Sequence, residues 1–354
     1  MSFVIAAAGT GGHVYPALAI AEAMVGAGVP RDEIVVFGGR RKAETAASDA
    51  GFGFVGFELA KLRRSLTPSN LAIPFVVRRT VRAMRAELQR REARVVLGMS
   101  GYVTVPAALA ARRSGIPFLL HEQNAAPGLA ARFASLRARR TFLGLPGKAE
   151  RLPRAELVGN PLRPELRVFD RARLRPEAIA RYDLAPESVV VGILGGSLGA
   201  KVLNEAAAGI AELAPEGTAL VQLTGEARAG ASAERAARLP WRQLAYEDRM
   251  DLFFAACDLV VCRAGAMTVS EVAATRTPAV LVPLESVGQQ FNAAALGDAA
   301  VMVRQDDAAT LPGLVASLIG DPGRRAAMAD ASGPIGVPDP AGSVAASLLR
   351  EAAR

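Results

Sequence analysis

Histidine and cysteine are almost absent from this 354-residue chain, which has two of each. Cys257 and Cys262 flank and enter the apolar run Leu259-Val260-Val261. They read as small core residues, not as a disulfide or a metal pair. There is no Asp-x-Asp triplet and no cluster of His, Cys and carboxylates at metal-ligand spacing. The expectation is therefore no metal and no resident cofactor. No apolar run approaches the ~18 residues that a membrane-crossing helix needs. The opening Met1-Ser2-Phe3 puts no charged stretch ahead of an apolar one, unlike a secretory signal. These features predict a cytoplasmic protein. Aromatic residues make up 5% and are not interleaved with the basic ones, so stacking platforms for nucleic acid are lacking.

What the chain does have is an uneven surplus of positive charge. The net charge is +8, yet Met1 to Val158 carries 23 Lys and Arg against 11 Asp and Glu, and the remainder 19 against 23. A basic first half suits an anionic partner such as a phosphate-bearing substrate or an acidic membrane surface. Ten basic residues and two acids fall between Lys61 and Arg94. Around Leu71-Ala72-Ile73-Pro74-Phe75-Val76-Val77 this stretch is apolar, and Arg78, Arg79 and Arg82 follow. Apolar residues flanked by arginines suit docking on an anionic bilayer. A core helix with a solvated basic face has the same pattern.

Apolar strands alternate with amphipathic helical stretches, the mark of parallel α/β architecture. The first half predicts strands near 3–8, 33–37, 53–57, 94–97, 117–120 and 155–158, and helices near 15–27, 42–50, 69–92, 104–114 and 127–137. Gly159-Asn160-Pro161-Leu162-Arg163-Pro164 breaks the pattern and reads as a linker or hinge. The second half restarts with strands near 189–194, 218–223, 258–261 and 279–282 and helices near 200–212, 249–256, 267–276, 290–298 and 307–319. A Gly/Pro-rich stretch from Asp321 to Gly342 precedes a final helix near 343–353. The expected division is an N-terminal domain 1–160, a C-terminal domain 161–342 and a final helix 343–354 that packs back on the first domain. In doubly wound sheets ligands bind beyond the carboxyl ends of the strands, and two such ends can face each other across a cleft.

Loops at those ends carry the candidate chemistry. Gly9-Thr10-Gly11-Gly12-His13 follows the first strand. It is not the dinucleotide fingerprint, because Val14 stands where a third glycine belongs, and no Gly-Lys-Ser/Thr makes it a P-loop. It offers bare backbone N–H groups to an anion or sugar. His13 is either a proton carrier near neutral pH or a loop-capping residue, and His121 has the same two readings. Gly98-Met99-Ser100-Gly101-Tyr102 and His121-Glu122-Gln123-Asn124 add polar groups of the kind that read sugar hydroxyls. Gly195-Gly196-Ser197-Leu198-Gly199-Ala200 opens a helix where N–H groups could hold a phosphate without metal. Glu271, at another helix start, either accepts from ribose hydroxyls or complements the helix dipole.

These motifs, in this order, resemble the MurG family of peptidoglycan glycosyltransferases, glycosyltransferase family 28. The likeness spans nearly the whole chain, through Gly9 to His13, Gly101-Tyr102-Val103, His121 to Asn124, Gly159 to Arg163, Gly195-Gly196-Ser197 and Cys262 through Glu271. It implies a GT-B fold of two Rossmann-like, doubly wound α/β domains facing across a cleft. It implies inverting transfer of N-acetylglucosamine from UDP-GlcNAc to the 4-hydroxyl of undecaprenyl-pyrophosphoryl-MurNAc-pentapeptide, on the cytoplasmic side of an anionic membrane. His13 is the expected base, with acceptor diphosphate binding as its other role. The resemblance puts Thr10, Gly11 and Gly12 beside the donor, Asn124 on the sugar, and Arg163 and Ser197 along the nucleotide and diphosphate. Ala266, Met267, Thr268, Val269, Ser270 and Glu271 form the nucleotide pocket, with Glu271 on the ribose. Glu247 falls at a backbone contact to uracil where residue identity matters little, and Gln289, more than Gln290, meets the sugar hydroxyls. Leu198 departs from the family's usual Gln. Another GT-B UDP-sugar enzyme (a lipid glycosyltransferase or an epimerase) and a non-catalytic nucleotide-sugar binding protein are the alternatives.

Overall fold

Runs of β-branched and aliphatic residues become parallel strands buried on both faces, as parallel sheets covered by helices require. The computed structural model describes every residue except 9–10, 40–41, 60–72, 197–198 and 226–237. The chain divides into two units, Met1–Arg163 with Gly336–Arg354, and Pro164–Ile335.

The first unit runs β1 (Ser2–Ala6), α1 (Gly11–Gly26), β2 (Ile34–Gly38), α2 (Lys42–Asp49), β3 (Gly53–Gly56), α3 (Ile73–Arg90), β4 (Ala93–Gly98), α4 (Thr104–Arg113), β5 (Phe118–Glu122), α5 (Leu129–Ser135), β6 (Thr141–Leu143) and β7 (Ala155–Leu157). Its seven strands lie in the order β3-β2-β1-β4-β5-β6-β7, all pairs parallel. The second unit runs α6 (Pro164–Arg167), α7 (Arg171–Arg181), β8 (Val189–Leu194), α8 (Lys201–Leu213), β9 (Thr218–Leu223), β10 (Trp241–Leu244), α9 (Met250–Ala256), β11 (Leu259–Cys262), α10 (Ala266–Thr275), β12 (Ala279–Leu281), α11 (Gln289–Ala293), β13 (Ala300–Met302), α12 (Leu311–Gly320) and α13 (Pro322–Ala331). Its six parallel strands lie in the order β10-β9-β8-β11-β12-β13. α14 (Pro340–Ala352) closes the chain on the first unit.

In each sheet the strand order reverses once, between β1 and β4 and between β8 and β11. Such a switch point opens a crevice at the carboxyl edge, where ligands bind. The glycine-bearing turns singled out in the sequence leave β1, β4, β8 and β11.

The first unit's core draws on both faces of its sheet. Ile5, Leu97 and Phe142 pack with Val14, Ile20 and Met24 of α1 and with Val344, Ala345 and Leu348 of α14. The chain rejoins this unit at Gly336, where φ is +92° and a Cβ would stand 2.2 Å from the Val158 carbonyl. Only glycine fits both the backbone angle and the close approach. Val337 N–H then donates to Val158 O at 3.0 Å.

Several elements depart from the sequence reading. α1 starts at Gly11, not near 15, so His13 and Pro16 are helical and Pro16 lies inside the helix. β6, β10 and β13 have three or four residues each and were too short to show a period. α7 was hidden by its arginines and Pro176. α13 lies inside the Gly/Pro-rich stretch: Asp321 caps it by accepting from Arg324 N, and Pro322 takes the first helical position, where no N–H is needed. The second unit ends at Ile335 rather than at 342. Cys257 and Cys262 are both free and buried, and burial raises both thiols well above their ordinary value.

Candidate active site

Because β1, β4 and β5 are neighbours, the residues that follow them converge at one edge of the first sheet. His13, in the first turn of α1, places Nδ1 2.6 Å from Oε1 of Gln123. An amide oxygen only accepts, so Nδ1 holds the proton of the neutral ring and donates it, leaving the lone pair on Nε2. Gly101, with φ +74°, brings its backbone beside that nitrogen: a Cβ there would stand 3.6 Å from Nε2. Ser100 before it is also left-handed, φ +55°, an unfavourable angle for a residue with a side chain. Its hydroxyl donates to Glu122 Oε2 at 2.9 Å.

Glu122 is 2% exposed. Its other oxygen accepts from the Asn124 backbone N–H at 2.9 Å and side-chain Nδ2 at 3.0 Å. Burial pushes its carboxyl up, against the pull of those bonds. The carboxylate therefore ties the turn after β4 to the turn after β5. His121 is wholly buried, and burial lowers it to about 4. It is neutral at pH 7, with Nε2–H donating to Gly159 O at 3.2 Å. Of its two readings, the structural one holds. Asn160 Nδ2 donates to Gln123 O at 3.1 Å, so the segment after β7 also braces this edge. Arg163 stacks over the Tyr15 ring, 4.6 Å from guanidinium carbon to centroid.

The second sheet gathers its loops in the same way around β8, β11 and β12. Gly196 and Gly199 are both left-handed, φ +79° and +69°, in the turn after β8. α10 begins at Ala266 with Gly265 as its N-cap. Helical spacing puts Met267, Thr268 and Glu271 on one half-exposed face, whereas Val269 and Ser270 are buried. The Ser270 hydroxyl donates back to Ala266 O at 3.0 Å. Asn292 Nδ2 donates to Ala264 O at 3.1 Å and so joins α11 to the loop after β11. Gln289 Oε1 accepts from Leu284 N–H at 2.9 Å. Gln290 Oε1 is buried with no hydrogen-bond partner among the described residues.

Glu247 is 2% exposed and fully engaged. It accepts from Arg181 Nε and Nη2 at 3.0 and 2.8 Å, Tyr182 OH at 2.9 Å and Arg249 N–H at 2.9 Å. Burial pushes its carboxyl up, but Arg181, the Arg249 amide and Tyr182 together hold it below its ordinary value.

Profiles described as the glycosyltransferase family 28 N-terminal and C-terminal domains match residues 3–143 and 190–341. Over 99% of this chain and 88% of its partner, identity is 39% to a Mycolicibacterium paratuberculosis protein named UDP-N-acetylglucosamine--N-acetylmuramyl-(pentapeptide) pyrophosphoryl-undecaprenol N-acetylglucosamine transferase. The chain belongs to glycosyltransferase family 28. The Acidothermus cellulolyticus protein of the same name is 38% identical, over 100% of this chain and 98% of that protein. Acinetobacter baumannii MurG aligns with a TM-score of 0.73 at 26% identity, over 99% of this chain and 100% of that one. A UDP-GlcNAc 2-epimerase from Neisseria meningitidis, at 13% identity and a TM-score of 0.68 over 98% and 99% of the two chains, shares the fold alone. The fold is GT-B.

Set against this family, the expected site residues divide. His13 and Asn124 meet at the first sheet's edge through Gln123 and Glu122, with Gly12 beside His13 in the first turn of α1. Ala266, Met267, Thr268 and Glu271 are half-exposed at the start of α10. Val269 and Ser270 do not offer side chains to a ligand, since the helix turns them inward. Gln289 Oε1 already serves Leu284, and the unpaired Gln290 Oε1 is buried. Glu247 was expected to be indifferent to residue type. Its side chain instead locks its own loop with four donors. Thr10, Ser197 and Leu198 lie outside the described residues. Sequence reading offered Gln123 and Ser100 as polar groups for sugar hydroxyls and did not foresee their pairing with His13 and Glu122.

Proposed function

We propose that this chain transfers N-acetylglucosamine, with inversion, from UDP-GlcNAc to the 4-hydroxyl of an undecaprenyl-pyrophosphoryl muramyl-pentapeptide. The observation that carries this reading is the full-length likeness, 39% over 99% of the chain, to a transferase of that name. The acceptor oxygen forms the new bond to the anomeric carbon as the bond to the UDP oxygen breaks. The hydroxyl proton passes to His13 Nε2, which is the open acceptor of that ring. Negative charge grows on the departing diphosphate. Main-chain N–H groups of the Gly195–Gly199 turn, the Ser197 hydroxyl and Arg163 would meet it. Asn124, Gln289 and Gln290 read the sugar, Glu271 the ribose, and the backbone at Glu247 the uracil. With no Asp-x-Asp triplet to hold a metal, these donors are proposed to suffice, and turnover should be unchanged by a chelator.

Donor and acceptor selectivity test the reading. UDP-GlcNAc at about 100 times its Kd should add about 2.7 kcal/mol of stability and raise Tm by a few degrees. UDP-glucose and NAD should add far less. UDP should be released with lipid-linked muramyl-pentapeptide and not with diacylglycerol. Equal protection by UDP-glucose, or release with diacylglycerol alone, points to another UDP-sugar enzyme.

The acceptor's lipid requires the chain to meet a bilayer. No helix among the described residues is long and apolar enough to cross a membrane. α3 buries Thr80, Val81, Met84 and Leu88 and leaves Phe75 76% exposed. Arg78, Arg79, Arg82 and Arg85 are exposed as well. An apolar tip with a row of cations suits the headgroup region of an anionic leaflet. The protein should co-sediment with vesicles rich in phosphatidylglycerol and not with pure phosphatidylcholine. Replacing Arg78 and Arg79 by Gln should weaken that binding by about 2 kcal/mol, near 1 per residue. Equal binding to both vesicle types would remove this face from the account.

A further inference from the structure

The Nδ1 side of His13 is occupied by Gln123, and we propose that Gln123 is a positioning residue that fixes the His13 tautomer and thereby assigns the reacting proton to Nε2. This rests on the reading of His13 as base. Gln123 is 1% exposed, so its amide is shielded from bulk water. Its Oε1 stands 2.6 Å from Nδ1. Its backbone carbonyl is held at 3.1 Å by Asn160 Nδ2, and the preceding Glu122 is clamped by Ser100 and Asn124. The acceptor is therefore fixed from both sides along the chain. Gly101, without a Cβ, leaves the Nε2 edge uncrowded. A ring whose Nδ1–H is engaged can only take a proton on Nε2, and it is already oriented when substrate arrives.

An amide at this position also differs in kind from a carboxylate. It accepts the Nδ1 proton without adding a negative charge that would favour the imidazolium. After proton transfer, the cation still keeps its hydrogen bond to Gln123. Among the described residues, Glu122 and His121 on β5 both feel the charge of His13. Neither changes in the variants below.

The test uses the full chain labelled with 15N at histidine. With two histidines in the sequence, the spectrum contains two imidazoles. His121 donates from Nε2 and supplies the opposite tautomer as an internal reference. Wild-type His13 should show a protonated Nδ1 and an unprotonated Nε2. Gln123→Met keeps the volume and removes the acceptor. It should give a mixed tautomer and lower kcat by roughly 10–10²-fold, with donor KM little changed. Gln123→Glu keeps the acceptor and adds charge. It should restore the tautomer and move the acid limb of the kcat/KM–pH profile up by about 1 unit or more. That shift is a readout that packing alone does not produce, and it holds even where Gln123→Met folds poorly. An unchanged His13 tautomer in Gln123→Met, or an unmoved acid limb in Gln123→Glu, overturns the proposal. Undiminished turnover in His13→Ala would instead remove the base reading, and the tautomer measurement would still report whether Gln123 holds the ring.

Discussion

His13→Ala is expected to lower kcat by about 10²–10⁴-fold, near 3–5 kcal/mol of transition-state stabilisation, with donor affinity nearly intact. The size follows from what the ring contributes. The acceptor hydroxyl is a poor nucleophile until its proton moves, and His13 Nε2 has a lone pair that can take it, whereas the unpaired Nδ1 of His121 is wholly buried. Glu122, a carboxylate on that edge, already accepts three hydrogen bonds from Ser100 and Asn124. It cannot replace the base without abandoning the left-handed turn at Ser100. His13→Asn separates position from chemistry. Its short amide can still donate toward Gln123 but has no basic nitrogen where Nε2 was. Both variants should therefore fall by similar amounts, and donor protection against heating should survive in each. A His13→Asn enzyme with wild-type turnover would sink the base and leave acceptor diphosphate binding as the role of this residue.

Much of this arrangement was legible in the chain because parallel strands buried on both faces are written as unbroken aliphatic runs. Val95-Val96-Leu97 and Val189-Val190-Val191 could hardly be anything else. The glycine turns after β1, β4, β8 and β11 were visible for the same reason: each directly follows such a run. What spacing could not reveal was adjacency. Gln123 meets His13 across 110 residues because β5 stands one strand from β1 across β4, and strand order has no trace in a single sequence. Glu247 shows a second limit. Its sequence neighbourhood looks like an ordinary polar loop, and only the packing of α7 against it brings Arg181 and Tyr182 to its carboxylate. Short edge strands such as β6 and β13 carry too few residues to declare a period, whereas α13 did have a readable start in Asp321-Pro322.

The second large effect concerns that carboxylate. Arg181→Met should destabilise the protein by about 2 kcal/mol at pH 7, because a buried carboxylate loses its cation while keeping weaker partners. We take the low end since the Arg181 side chain is 42% exposed and water already screens it. The pH dependence fixes the cause. Burial alone would raise Glu247, but its three partners lower it overall. In the wild type its contribution is therefore complete above the ordinary carboxylate range and is lost as pH falls through the lowered value. In the variant the burial effect prevails and the carboxyl rises. The stability gap between the two should be widest near neutrality and shrink below about pH 5, where the variant's Glu247 takes up a proton. Adding Glu247→Leu to Arg181→Met removes the stranded charge, so the double variant should recover part of the loss. Urea melts at pH 7 and pH 4 measure all three proteins. A gap that stays constant with pH would mean that the loss comes from Arg181 packing, and that the Glu247 charge is not what holds the loop from which uracil is proposed to be read.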